Sequence, residues 1–181
     1  MASIINATTS SGVVITSDNT GQLQLQSAGT TVMTITSTGV TTQVGAPSFS
    51  AFSTVTQATT ANVFLKVTCN VEEWDTNNNY DNTTNYRFTP TVAGYYQVSC
   101  FIALNAATTR LIASIYRNGS PIKKVFDLGD VAAVANGGGT AIVYCNGSTD
   151  FIELFARTAN NNSVISSGGE TMFQAAMIRS A

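Results

Sequence analysis

Apolar side chains recur at every second position through much of this chain, and Gly or Asn interrupts each run. Tyr96, Val98, Cys100, Ile102 and Leu104 form one such set; Val63, Leu65, Val67, Cys69 and Val71 form another, alternating with Phe64, Lys66, Thr68 and Asn70. A period of two sends successive side chains to opposite faces of a pleated strand, whereas a helix needs a period near 3.6 and capping residues. No segment shows the helical pattern with its caps, so the chain is committed to strands and turns. "RLIASIYRNGSPIKKVF", residues 110–126, holds two strands around Asn118-Gly119, the dipeptide suited to a type I′ hairpin turn. "TAIVYCNGSTDFIELFA", residues 140–156, repeats that arrangement around Asn146-Gly147 with a longer loop, and "GGETMFQAAMIRS" supplies a closing strand. "GDVAAVANGGG", residues 129–139, reads as a loop or short strand, with its three consecutive glycines in a flexible loop.

Charge is scarce. The chain has 8 Lys and Arg against 10 Asp and Glu, a net charge of −2 and no histidine. Neutralising a phosphate backbone needs a clustered basic face, and none is visible, which excludes nucleic acid as a partner. No apolar run is long enough for a membrane-spanning helix, so no membrane insertion is expected. From Met1 to Leu65 the only charged side chain is Asp18. Free monomers keep themselves soluble with far more charge, so this segment is expected to be covered by sister chains or a larger assembly. The opening "MASIINATTSSG" lacks a charged stretch ahead of an apolar core, which predicts synthesis in the cytoplasm without a secretory leader.

Two domains are expected. Residues 1–46 form an N-terminal β stem: Leu23 and Leu25 alternate with Gln22, Gln24 and Gln26, and Met33 and Ile35 alternate with Thr34 and Thr36. Two or three short strands bury no core alone, so Leu23, Leu25, Met33 and Ile35 are read as the anchoring segment. "GAP" at 45–47 marks the boundary, and residues 47–181 form the second domain.

Chemistry has little to work with. Without histidine, Ser-His-Asp and Cys-His catalysis are excluded, and Cys69, Cys100 and Cys145 lack the close spacing of a zinc site. Three cysteines inside apolar patterns read as buried free thiols. Asp75, Asn77, Asn79 and Asp81 occupy positions 1, 3, 5 and 7 of a calcium loop, but Tyr80 replaces the glycine of position 6 and Tyr86 the glutamate of position 12. Turn capping by Asn and Asp is the stronger reading of this cluster, with calcium as the weaker alternative. No catalytic residue and no cofactor is predicted; the chain is not read as an enzyme.

The stretch "YDNTTNYRFTPTVAGYY", residues 80–96, carries Tyr80-Asp81, a turn, Phe88, and then Gly94 and Tyr96 leading into a strand. It resembles the central signature of the complement-q globular head, in the superfamily of the tumour necrosis factor jelly roll. "YRNG" at 116–119, "CNGSTDFIEL" at 145–154 and "MFQAAMI" at 172–178 are similar to the family's later landmarks. Two features depart from it: Thr84-Asn85-Tyr86-Arg87 is one residue longer than the family's Thr-Gly-Lys, and no collagen-like Gly-x-y repeat precedes the head. The resemblance implies an all-β, ten-strand-type jelly-roll sandwich that assembles as a homotrimer. Tyr96 then points into the sandwich, while Tyr95 and Phe101 face outward as trimer-interface residues, with Phe64 assigned to the same interface. The β stem in place of a collagen stalk is similar to the stems of tailed-phage structural proteins. The expected role is thus a bacteriophage virion protein: a capsid-decoration or short spike protein on the virion surface. Its N-terminal segment would bind the major capsid protein or a tail protein. The alternatives are a tail-fibre tip or receptor-binding protein for host attachment, recognising a host-surface glycan or protein, and, after these, a secreted complement-like recognition protein.

Overall fold

The computed structural model describes residues 20–129, 134–161, 164–165 and 168–181. These fall into two compact units, divided after Gly45. All regular structure among the described residues is β.

The first unit is a three-stranded antiparallel sheet of β1 (Leu23–Ser27), β2 (Thr30–Ile35) and β3 (Thr41–Gln43). Leu23 pairs with Ile35 and Leu25 with Met33, so the four apolar residues of the predicted anchoring segment meet on one face. None of the four is buried within the chain. Among the described residues this sheet has no second layer to cover that face.

The second unit contains β4 (Ser48–Phe52), β5 (Gln57–Ala58), β6 (Leu65–Lys66), β7 (Val71–Asp75), β8 (Tyr80–Asp81) and β9 (Arg87–Phe88). There follow β10 (Gly94–Ala107), β11 (Arg110–Arg117), β12 (Ser120–Gly129) and β13 (Val134–Cys145). β14 (Ile152–Thr158), β15 (Val164–Ile165) and β16 (Met172–Ser180) complete it. One sheet runs β13-β10-β16-β4-β7, with β15 and β5 continuing from the far end of β10; the other runs β12-β11-β14-β9-β8, with β6 also on β14. The chain changes sheet between β10 and β11, between β12 and β13, and between β13 and β14, as a jelly roll requires.

Between the sheets lies a core made by the inward half of each alternating pattern. Val98, Ile102, Leu111, Ile115, Ile152 and Leu154 are wholly buried. Phe49 is the hub of an aromatic cluster, stacked on Tyr80 at 4.4 Å and on Phe88 at 4.7 Å, with Phe173 edge-on at 5.1 Å. Tyr96 is fully buried beneath Phe88, as its place in the apolar register predicts, and its hydroxyl donates to the Val92 carbonyl at 2.6 Å. The Tyr80 hydroxyl donates to the Cys69 carbonyl at 2.9 Å. Both polar tips are satisfied, so the rings are buried without the cost of an unpaired hydroxyl.

The hairpin at Asn118-Gly119 forms as expected: Arg117 pairs with Ser120, and both turn residues have positive φ. Three local expectations are corrected. Asn146-Gly147 joins strands of opposite sheets and is not a hairpin, because β13 pairs with β10 while β14 pairs with β11. Its turn is wound around the Asn146 side chain, whose Oδ1 accepts from the amides of Ser148, Thr149 and Asp150. The 63–71 run is not one strand. Past Lys66 a side chain replaces the neighbouring strand, since Gln57 accepts from the Thr68 amide and donates to the Lys66 carbonyl. Finally, Gly137, Gly138 and Gly139 form no flexible loop but lie inside β13 (residues 130–133 of that stretch lie outside the described residues). A Cβ on Gly138 would stand 2.2 Å from the Cys100 carbonyl oxygen, and one on Gly139 would stand 2.1 Å from that of Val125. Here the crossing strand runs so close to β10 and β12 that bare backbone is required.

Candidate functional site: an outward apolar sheet face

The outward face of the β13-β10-β16-β4-β7 sheet can be read from its register. One row places Tyr144, Tyr95 and Arg179 side by side; the next places Ile142, Gln97, Ala176 and Ser48. A third holds Thr140, Ser99, Gln174, Ser50 and Trp74, and a fourth Gly138, Phe101, Met172 and Phe52. Arg179 is the one charged residue in these four rows. Tyr95 is 45% exposed, Tyr144 40% and Ile142 58%, and Trp74, Met172 and Ile178 are open to solvent as well.

The face has a definite relief. At one end Tyr95 and Tyr144 lean together, with ring centroids 5.5 Å apart. Across the middle it is polar and level, with Ser99 and Thr140 hydroxyls 3.0 Å apart. Toward β7 a depression of about 450 Å³ opens between Trp74 and Ile178, floored by Gln97, Ser99, Gln174 and Ala176. Large aromatic and aliphatic groups at the margins of a small polar floor suit a flat protein partner. Single apolar residues are ordinary on a surface, but this many large ones on one sheet face are not.

Tyr95 and Phe101 therefore lie together on this face. Phe64 does not join them. Its ring packs edge-on to Tyr116 at 5.9 Å, and the Arg157 guanidinium lies 5.8 Å from its centroid, both from the opposite sheet. Tyr144, Ile142, Met172, Trp74 and Ile178 went unmarked in the sequence reading. Tyr144 and Ile142 are the outward half of "TAIVYC", a signal that alternation alone contains; Trp74 needs the pairing of β4 with β7 before its face can be known.

The acidic cluster resolves into turns. Asp75 accepts from the amides of Asn77 and Tyr80. Asp81 accepts from those of Thr83, Thr84 and Asn85, and from the Asn85 side chain at 2.7 Å. Asn79 is buried and bonded to Thr91 and to the Asn77 carbonyl. The amides hold the Asp81 carboxyl well below its usual range, with the Thr84 amide contributing most against a partly offsetting desolvation. The Asp75, Asn79 and Asp81 oxygens thus accept from backbone amides, and Asn77 Oδ1 accepts from the Thr76 hydroxyl. No group of three or more acidic, Cys or His side chains placed to hold a metal occurs among the described residues. Cys69, Cys100 and Cys145 are buried free thiols.

Neither a family model nor a curated protein matches this chain. Solved structures do. The globular domain of a zebrafish complement 1qA protein superposes over 75% of this chain and 99% of its own, with TM-score 0.58 and 18% identity. PRD1 vertex protein P5 covers 74% of this chain and 96% of its own, with TM-score 0.54 and 15% identity. Murine APRIL, in a crystal form at pH 5.0, matches with TM-score 0.55 and 10% identity over 74% of this chain and 99% of its own. The second unit has the complement-head and tumour necrosis factor jelly roll. At these identities the likeness extends to the fold alone.

Proposed function

We propose that this protein is a bacteriophage virion structural protein, a homotrimeric capsid-decoration or short spike protein with an outward jelly-roll head. The observation that carries the reading is the apolar face of the β13-β10-β16-β4-β7 sheet, which serves as the subunit interface. Three heads set around a threefold axis bury the Tyr95–Tyr144 pair, Ile142, Phe101 and Met172 against sister chains, and one side chain from a neighbour fills the depression beside Trp74. Two further observations support it. The first unit leaves Leu23, Leu25, Met33 and Ile35 uncovered in a stretch almost without charge, which suits packing against sister stems and a capsid or tail protein. The jelly roll is also that of a vertex protein. The role is structural, with no catalytic residue assigned.

Light scattering on the purified protein tests the assembly: a mass three times the 19.0 kDa chain supports it, and a stable monomer overturns it. Quantitative mass spectrometry of particles carrying the protein tests the role. Decoration requires many tens of copies per particle and unimpaired adsorption after deletion; a receptor-binding fibre tip requires few copies and loss of adsorption.

A further inference from the structure

The opposite sheet carries a second feature, independent of any assembly because a single chain builds it. At the open end of β11, β12 and β14 lies a depression of about 500 Å³ whose walls include Asn62, Thr109, Arg110, Asp127 and Arg157. The Ala159 amide donates to the Arg110 carbonyl, and Arg157 is opposite Ile112, two positions along the same ladder. Arg110 and Arg157 are therefore diagonal neighbours on one face.

Each guanidinium is held by one edge. Asp127 accepts from Arg110 Nε at 2.8 Å and Nη2 at 2.9 Å, and from Lys124 Nζ at 2.6 Å. Arg157 Nη2 donates to Asn62 Oδ1 at 3.0 Å while its plane lies over Phe64. That leaves Arg110 Nη1, and Arg157 Nε and Nη1, without a hydrogen-bond partner among the described residues. The rim is fixed too, since Asn160 Oδ1 accepts from the Thr109 amide and from the hydroxyls of Thr108 and Thr109. Among the described residues, three cations stand against one carboxylate at this spot, on a chain whose net charge is −2.

We propose that this depression binds the oxyanion of an acidic polysaccharide, a carboxylate or sulfate ester held between the free guanidinium N–H groups of Arg110 and Arg157. Charge-assisted N–H donors fixed in place by their other contacts suit such oxyanions, and the Thr and Asn groups of the rim suit sugar hydroxyls. Two guanidinium groups are too few to track a nucleic acid backbone.

The test is calorimetric titration of the full chain with oligogalacturonate, dextran sulfate, neutral dextran and inorganic sulfate. Saturable binding of a charged oligosaccharide, weakening as salt rises, is expected, with neutral dextran inert. Arg157→Gln and Arg110→Gln are each expected to lower affinity about tenfold or more, the worth of a charge-assisted hydrogen bond. Arg87→Gln, toward the other end of β14 where the guanidinium lies over Phe151, is expected to leave affinity unchanged, and melting curves check that all three variants fold. Absence of binding to both acidic oligosaccharides, equal loss in the Arg87 variant, or binding of inorganic sulfate as tight as that of the oligosaccharides each overturns the proposal. A monomeric mass in light scattering leaves it intact, so the two proposals fail separately.

Discussion

Tyr95 and Tyr144 face each other across β10 and β13 with ring centroids 5.5 Å apart and planes inclined by 57°, both rings open to solvent. Such a pair brings large burial at small entropic cost when a partner closes over it, so it suits the subunit contact proposed above. Tyr144→Lys is expected to convert the trimer to monomer, read as a threefold drop in light-scattering mass. The monomer itself should melt cooperatively, because neither ring contributes to the inter-sheet core. An unchanged mass in Tyr144→Lys and in Tyr95→Lys would move the interface elsewhere.

The glycine run of β13 supplies a prediction about the fold. Gly139 has no room for a Cβ beside the Val125 carbonyl, which is backbone and not the tip of a flexible side chain. Gly139→Ala is expected to destabilise the second unit by about 1–3 kcal/mol, the range for overpacking a tight site, measured by urea unfolding. Gly29→Ala is the control for added bulk: a Cβ there meets no neighbouring atom, so its cost comes only from the positive φ of the β1–β2 turn.

Much of this architecture was legible because a two-residue period states which side chains share a face. Tyr96 inward, Tyr95 outward, Leu23 with Leu25 on one face of their strand and Met33 with Ile35 on one face of theirs follow from that rule, while the Asn118-Gly119 turn follows from its dipeptide. What it omits is which strands pair. "CNGSTDF" has hairpin composition, yet it crosses between sheets, and local sequence contains nothing about which sheet receives β14. Gly137 to Gly139 look like a loop for the same reason: their meaning is set by β10 and β12, which lie far away along the chain. Phe64 alternates outward correctly, but outward there means onto Tyr116 of its own sheet. The Arg110–Arg157 depression was invisible until β11 was paired with β14.

Asp81 ties together the turn after β8 through three backbone amides. Asp81→Ala removes them all and is expected to lower stability by about 1–2 kcal/mol, the usual cost of a lost capping side chain. Because the folded state holds this carboxyl below its ordinary pKa of 3.8, its contribution is present at neutral pH and fades as pH falls below the normal carboxylate range. The wild-type protein should therefore lose more stability than Asp81→Ala between pH 5 and about pH 2. Added calcium is expected to leave the melting temperature unchanged; a rise of several degrees that Asp75→Asn abolishes would revive the metal reading.

The buried thiols set the alkaline limit. Burial pushes Cys69 and Cys145 up to about 12 and Cys100 to about 11, from an ordinary 9.0, and pushes the Tyr96 phenol to about 12 from 10.0. A pKa raised by folding favours the native state as long as the group stays protonated in both states. That advantage is complete below pH 9 and disappears as pH climbs toward 12, where the native state must bury anions or open. The melting temperature is expected to hold level up to about pH 9 and then to fall steeply. Since the thiolate is the reactive species, all three cysteines should resist a disulfide-exchange reagent at pH 8 and react together in urea. A cysteine that reacts rapidly in the native protein at pH 8 would show that its strand opens on its own, and would exclude a closed inter-sheet core at that position.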